Sequence, residues 1–236
     1  MSKNTFITAA VLAVIGSGAM AQGITGGSIG VEVTQPTDFE EFIGTNYFGA
    51  IEYGITRQFA VSADVSSYRF DSLDQDATSA TLHGVYHLGD TASVGVFFGQ
   101  DKLEGEDSLN IYGIEGGTEF MGGQVEAYVG VADNDADTKI FGFDGNYNFN
   151  EAISFKGGAA FQDSGDEGSA STISIGAEYT ITGGPSLYAE LGNVNVDSGA
   201  TDESETFIGL GARINFGSAR GTTFGQRSVF EALPKF

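Results

Sequence analysis

Seven carboxylates (Glu32, Glu52, Asp64, Glu126, Asp144, Glu178 and Glu190) and two bases (Lys156 and Arg213) each occupy an alternate position in a run whose other positions are apolar. Side chains alternate across a β-strand, so this dyad puts the charges on one face and the apolar residues on the other. Carboxylates gathered on a wetted face repel anions and concentrate cations, which is the chemistry of a selective pore. Residue types suited to bond making are scarce. There is no cysteine, and His83 and His87, four apart on a strand and so roughly 13 Å from each other, cannot share a metal. A Ser, His and acid triad could be drawn through many serines, but none sits in a nucleophile-elbow sequence. The run Asp133-Asn134-Asp135-Ala136-Asp137 opens like a calcium loop, yet the glycine and the distal glutamate of that motif are missing. No catalytic residue, metal site or cofactor is expected.

The elements that must position these charges are strands, about twelve of them, with ten or fourteen as alternatives. The clearest is residues 207–216, where Ile208, Leu210, Ala212, Ile214 and Phe216 share one face and Gly209, Gly211, Arg213 and Asn215 the other. The same dyad recurs at Ile29, Val31 and Val33 against Glu32, at Val61, Ala63 and Val65 against Ser62 and Asp64, and at Ile173, Ile175, Ala177 and Tyr179 against Ser174, Gly176 and Glu178. The strand over residues 108–117 is irregular, because Glu115 falls on the face of Leu109 and Ile111 unless Gly113 marks a bulge. Pro36, Pro185 and Pro234 all fall between strands or in the tail, where a missing N–H breaks no ladder bond.

No helix pattern is available to cover the apolar faces, and the connections alternate in kind. Those after Ile55, Leu88, Gly117, Tyr147 and Ile181 are short and nearly uncharged, while the intervening ones are longer and acidic, as at Glu104, Glu106 and Asp107 and at Asp197, Asp202, Glu203 and Glu205. Tyr53, Phe59, Tyr86, Tyr147, Phe149, Tyr179 and Phe216 gather on the apolar faces beside the short turns, where an interfacial girdle is expected. The fold class that follows is all-β, a transmembrane antiparallel up-and-down β-barrel, apolar outside and polar within, with both termini on the periplasmic side.

The two ends and the charge complete the frame. Lys3, the apolar run 6–15 and Ala19-Met20-Ala21 before Gln22 fit an export signal over residues 1–21. That leaves residues 22–216 for the barrel and 217–236 for a C-terminal tail. A formal charge of −22 argues against nucleic acid, whose binding needs clustered bases.

The signal Ala19-Met20-Ala21, the repeated dyads and the closing strand Ile208-Gly209-Leu210-Gly211-Ala212-Arg213-Ile214-Asn215-Phe216 together resemble a small member of the Gram-negative porin superfamily. The glycine-rich, acidic, cysteine-free style is similar to alphaproteobacterial porins. The resemblance implies an outer-membrane location, outer-membrane lipid as surroundings, and Phe216 as the terminal aromatic read by the barrel assembly machinery. Two departures accompany it: no connection is long enough for a constriction loop, and the chain continues for twenty residues beyond Phe216.

The functional expectation is passive diffusion of small hydrophilic solutes or cations through a lumen lined by the nine charged residues above, with cation preference; an oligomer is compatible with it. Inner-face glycines such as Gly99, Gly130, Gly176, Gly209 and Gly211 would leave space or let the sheet bend. The alternative is a closed surface protein, its lumen filled by Tyr112, Tyr128 and Tyr188, with a structural or adhesive role through its acidic loops. The tail holds Arg220, Arg227 and Lys235 of the ten basic residues, and Ser228 could cap a short helix ahead of Pro234. It reads as a periplasmic extension or, more sharply, as a plug drawn by its bases into an acidic lumen.

Overall fold

Alternation of apolar and polar residues over 11 to 16 positions at a time produces twelve strands. In this computed structural model the described residues are 23–38, 43–70, 75–133, 137–182, 184–199, 201–217 and 221–233. The expected signal at 1–21 and the centre of the calcium-like run at 134–136 lie outside them. The strands are β1 (Gly23–Pro36), β2 (Gly44–Gly54), β3 (Phe59–Phe70), β4 (Gln75–His87), β5 (Ala92–Leu103), β6 (Leu109–Phe120), β7 (Gly123–Asp133), β8 (Thr138–Asn148), β9 (Ile153–Asp163), β10 (Ser169–Thr180), β11 (Ser186–Asp197) and β12 (Asp202–Gly217). Each pairs antiparallel with its chain neighbours, and β12 returns to β1 with Phe216 opposite Gly27, so the sheet closes into an up-and-down barrel.

Through the middle of the strands the outer face is apolar. Leu82 is 62% exposed and Ile175 68%, and Val65, Val96, Ile114, Phe143 and Leu210 project beside them. In water such a surface would aggregate; against hydrocarbon it is what a spanning strand must present. The aromatics expected beside the short turns are there and face outward, with the Phe59 and Tyr86 rings 4.9 Å apart. Phe216 lies across Gly27 on this face, where an added Cβ would meet the phenyl ring.

Three expectations are corrected by the register. β6 carries no bulge: its pairing with β5 and β7 runs without a shift, so Leu109, Ile111 and Glu115 do share the inner face. The irregularity lies in β1 instead, between Ile24 and Gly26. Tyr112 therefore points outward, 47% exposed, rather than into the lumen. Finally, Asp202, Glu203 and Glu205 are not loop residues, because β12 starts at Asp202 and pairs with β11 over that stretch. The turn between β6 and β7 is two residues, Met121 and Gly122, both at positive φ, as the twist of a tight hairpin requires.

The membrane reading has a depth-dependent consequence. Leu82→Arg, at mid-strand on the outer face, is expected to cost about 2–4 kcal/mol of folding free energy in a bilayer, and Leu88→Arg, beside a short turn, about 0–1 kcal/mol. Reversible denaturant unfolding in lipid vesicles measures both. Equal costs at the two positions would show that the face does not contact hydrocarbon.

Candidate functional site

Inward positions are what the closed sheet leaves for chemistry. A cavity of about 1750 Å³ runs inside the barrel from the short-turn end, at Gly122 and Glu151, up to the level of Thr172 and Phe207. Among its lining residues are nine carboxylates against two bases, Lys156 and Arg213. All of the charged residues named from sequence point inward, but they divide into two groups around the cavity.

On the β9–β12 wall the charges form ion pairs that lie flat along the sheet. Lys156 Nζ is 3.0 Å from Glu190 Oε2, bridging from β9 to β11 across Gly176. An added Cβ at Gly176 would lie 3.0 Å from Glu190 Cβ and 3.1 Å from Lys156 Cε, so glycine here makes room for the pair. Arg213 meets Glu178 at two points, with Nη2 2.7 Å from Oε2 and Nε 3.2 Å from Oε1. The Lys156 ammonium also sits 3.7 Å from the centroid of Tyr188. Asp144 and Glu32 complete the wetted side.

The glycines on the inner wall do not mark empty space. Large side chains of neighbouring strands lie over them: Phe48 over Gly30, Phe97 over Gly113 and Gly130, Phe207 over Gly192, Tyr188 over Gly211. Tyr128 and Tyr188 are accordingly pressed against the wall, each 7% exposed, instead of crossing the lumen.

On the β3–β7 wall Asp64 and Glu126 belong to a network the sequence did not reveal, and Glu52 stands beside it on β2. Glu52 accepts from Thr25 Oγ1 at 2.8 Å. His83 is held between Asp64 and Glu115, with each ring nitrogen 2.7 Å from a carboxylate oxygen. Glu115 in turn accepts from Arg227 Nε at 3.0 Å, and Glu126 lies 3.4 Å from Arg227 Nη1. The guanidinium stands 4.5 Å from the centroid of Tyr128, and its side chain is 1% exposed.

Arg227 belongs to the tail, so of the two readings given to that segment it is the plug whose contacts are present. Residues 221–228 run along the β3–β7 wall, the short helical turn Val229–Glu231 reaches across to β9, and Val229 and Phe230 enter an apolar cluster with Tyr68, Phe70, Ile111 and Ile140. Reasoning from sequence named Arg227 only among the bases of a plug and Glu115 only as an irregular position, and it missed Asp101 altogether. The signal that could have found them is the inner face of β5 and β6: Phe97 and Ile111 are apolar where water was expected, and Glu115 beside them carries a second oxygen that His83 does not reach.

The sequence matches no protein-family model and no curated protein. Among solved structures, the chain is similar to the KdgM porin in complex with disordered oligogalacturonate, with a TM-score of 0.60 at 12% identity over 79% of this chain and 97% of that one. The NanC porin gives 0.59 at 10% identity, over 79% and 98%. The COG4313 outer membrane channel from Pseudomonas putida F1 gives 0.56 at 10% identity, over 84% and 97%. At such identities the likeness is one of architecture: the closed twelve-stranded barrel of this chain is the fold of outer-membrane barrel porins.

Proposed function

We propose that the protein is an outer-membrane channel for passive diffusion of small hydrophilic solutes, with a preference for cations. The observation that carries this reading is the polar cavity of about 1750 Å³ enclosed by a barrel whose outside is apolar. Solutes pass along the wetted side, between the Lys156–Glu190 and Arg213–Glu178 pairs on one wall and the tail on the other. The excess of carboxylates over bases supports cation preference, and it argues against a polyanionic solute of the oligogalacturonate kind. The strand bounds leave the two sets of connections similar in length, so the expected contrast of short turns with longer loops is not found; the acidic character of one set against the nearly uncharged other set is what supports insertion with both termini periplasmic. Residues 1–21 serve as the export signal in this reading, and Phe216 is the aromatic that the assembly machinery reads.

A closed barrel with a structural or adhesive role is the second reading. The observation in its favour is the apolar cluster of Phe70, Ile111, Ile140 and Phe230, which closes the loop-side part of the lumen above the β3–β7 wall.

Single-channel recording of the refolded mature protein in a planar bilayer, with the reversal potential taken under a salt gradient, separates the two. Stable steps with cation selectivity are expected; silence from a folded barrel would favour the closed reading.

The pairing on the β9–β12 wall adds a graded outcome. One unit charge about 8 Å from a passing ion in water is worth about 0.5 kcal/mol, a factor of roughly two in local cation concentration. The same charge depletes anions by a similar factor, so Asp144→Asn should lower the cation-to-anion permeability ratio about fourfold to fivefold. Glu178→Gln removes a charge of the same sign and also releases Arg213 from its two-point pair, so its loss of selectivity should be at least as large. No change in reversal potential with either substitution would show that these groups lie off the conduction path.

A further inference from the structure

The tail is bound as a peptide is bound, by pockets and side-chain hydrogen bonds distributed along its length. Near the short-turn end the Thr223 N–H donates to Glu52 Oε2 at 2.7 Å, and the Thr223 carbonyl accepts from Gln124 Nε2 at 3.2 Å. Phe224 fills a niche with Ala60 and Val85, where Gly95 supplies the space, since an added Cβ there would lie 2.8 Å from the Phe224 ring. At mid-lumen the Gly225 N–H donates to Glu126, Thr81 Oγ1 donates to the Arg227 carbonyl at 2.9 Å, and Gln226 Nε2 donates to Tyr68 Oη at 2.9 Å. Toward the loop end the Val229 N–H and the Ser228 hydroxyl both donate to Asp101 Oδ2, at 2.8 and 3.0 Å. The Phe230 ring then lies 5.4 Å from Tyr68 and 6.1 Å from Phe70.

A water-filled lumen has no use for Phe70, Phe97, Ile111 and Ile140 on its wall, nor for a chain of carboxylates buried from water. Both features are accounted for when the wall is the complement of a ligand that brings an arginine and, two residues further on, an aliphatic–aromatic pair. We infer that the β3–β7 wall is a peptide-binding groove of that specificity, occupied here by the chain's own residues 221–233 as a tethered and displaceable ligand. The tether lends the tail a millimolar effective concentration, so a free peptide enters only when the tail's own anchors are weakened. Displacement would widen the water path, which makes the tail an autoinhibitory ligand of the channel proposed above. The electrical consequence rests on that channel reading; the groove itself does not.

The test keeps the full chain. Phe230→Ala empties the apolar pocket while leaving the ion network intact, and Arg227→Gln with Phe230→Ala weakens both anchors. A fluorescent synthetic peptide of residues 221–233 is titrated into each refolded protein, and anisotropy reads binding whether or not the barrel conducts. Saturable binding is expected to both variants, stronger by tenfold or more than to the unaltered chain, and the peptide carrying Arg227→Gln and Phe230→Ala should not bind. Absence of binding to the folded variants, or equal binding of the two peptides, would overturn the groove.

The absence of native cysteines allows a second, electrical arm. Ser66→Cys and Gln226→Cys, whose native side chains are hydrogen-bonded, are added to the anchor-weakened chain and bridged by a short bifunctional methanethiosulfonate. Releasing the bridge with reductant should raise single-channel current about twofold or more, and the peptide should lower it again. Peptide binding without any current would sink the channel reading alone. An unchanged current on release, in a protein that conducts, would sink autoinhibition.

Discussion

A backbone amide in hydrocarbon has no water to bond to, and this one constraint organises the molecule. Every strand must find partners on both sides, so β12 must come back to β1, and the register of Phe216 opposite Gly27 marks where it does. Once the sheet is closed, each side chain has only two places to go. Through the middle of most strands the apolar half of the dyad faces lipid, and the ionic residues there are forced into a lumen only twelve strands around. The crowding that results is met by glycine. A phenyl or phenol ring on one strand lies flat over the bare backbone of the next, as Tyr188 does over Gly211, and the centre of the lumen stays available.

Confinement makes the sign of the charges a structural problem as well as a functional one. Carboxylates withdrawn from water are costly unless a partner of opposite charge and a full set of hydrogen bonds accompany them. The two walls resolve this differently. Around β9–β12 the partners are carried by the strands themselves, in Lys156 and Arg213, and both pairs keep contact with the cavity. Around β3–β7 the strands carry Asp64, Glu115 and Glu126 but only His83 to balance them. The missing cation arrives from outside the sheet, as Arg227. The tail is thus part of the electrostatic completion of the barrel, and its removal leaves the buried acids of this wall with His83 alone.

What was legible in the sequence follows from what a period of two can encode. Strand number, the side each charge faces, closure and the aromatic girdle depend on local alternation, and the placements of Glu32, Asp144 and Glu178 needed nothing else. Alternation says nothing about which inward groups meet along the wall, so the Lys156–Glu190 and Arg213–Glu178 pairs, two strands apart, were not deducible. It also misled where the inner face is apolar. Ile111 and Glu115 on one face looked like a broken pattern, and the bulge proposed at Gly113 would have repaired it. The face was in fact correct, and the apolar residues serve the tail. Asp202, Glu203 and Glu205 looked like loop because they are acidic, although a strand continuing past the membrane is free to be acidic on both faces.

The same closure that stabilises the barrel determines how the tail can be held. An extended segment laid against an open sheet would add as another strand, with a ladder of backbone bonds to keep it there. Here the wall's backbone groups are already paired with neighbouring strands around the full circumference, and no edge remains. The tail's own N–H groups therefore turn to side chains: Thr223 to Glu52, Gly225 to Glu126 and Val229 to Asp101. Bonds of this kind are set by residue identity at a few positions, whereas a ladder would accept almost any sequence. A segment held that way leaves without unzipping the sheet, and specificity and reversibility come from one cause, the lack of a free strand edge inside a closed barrel.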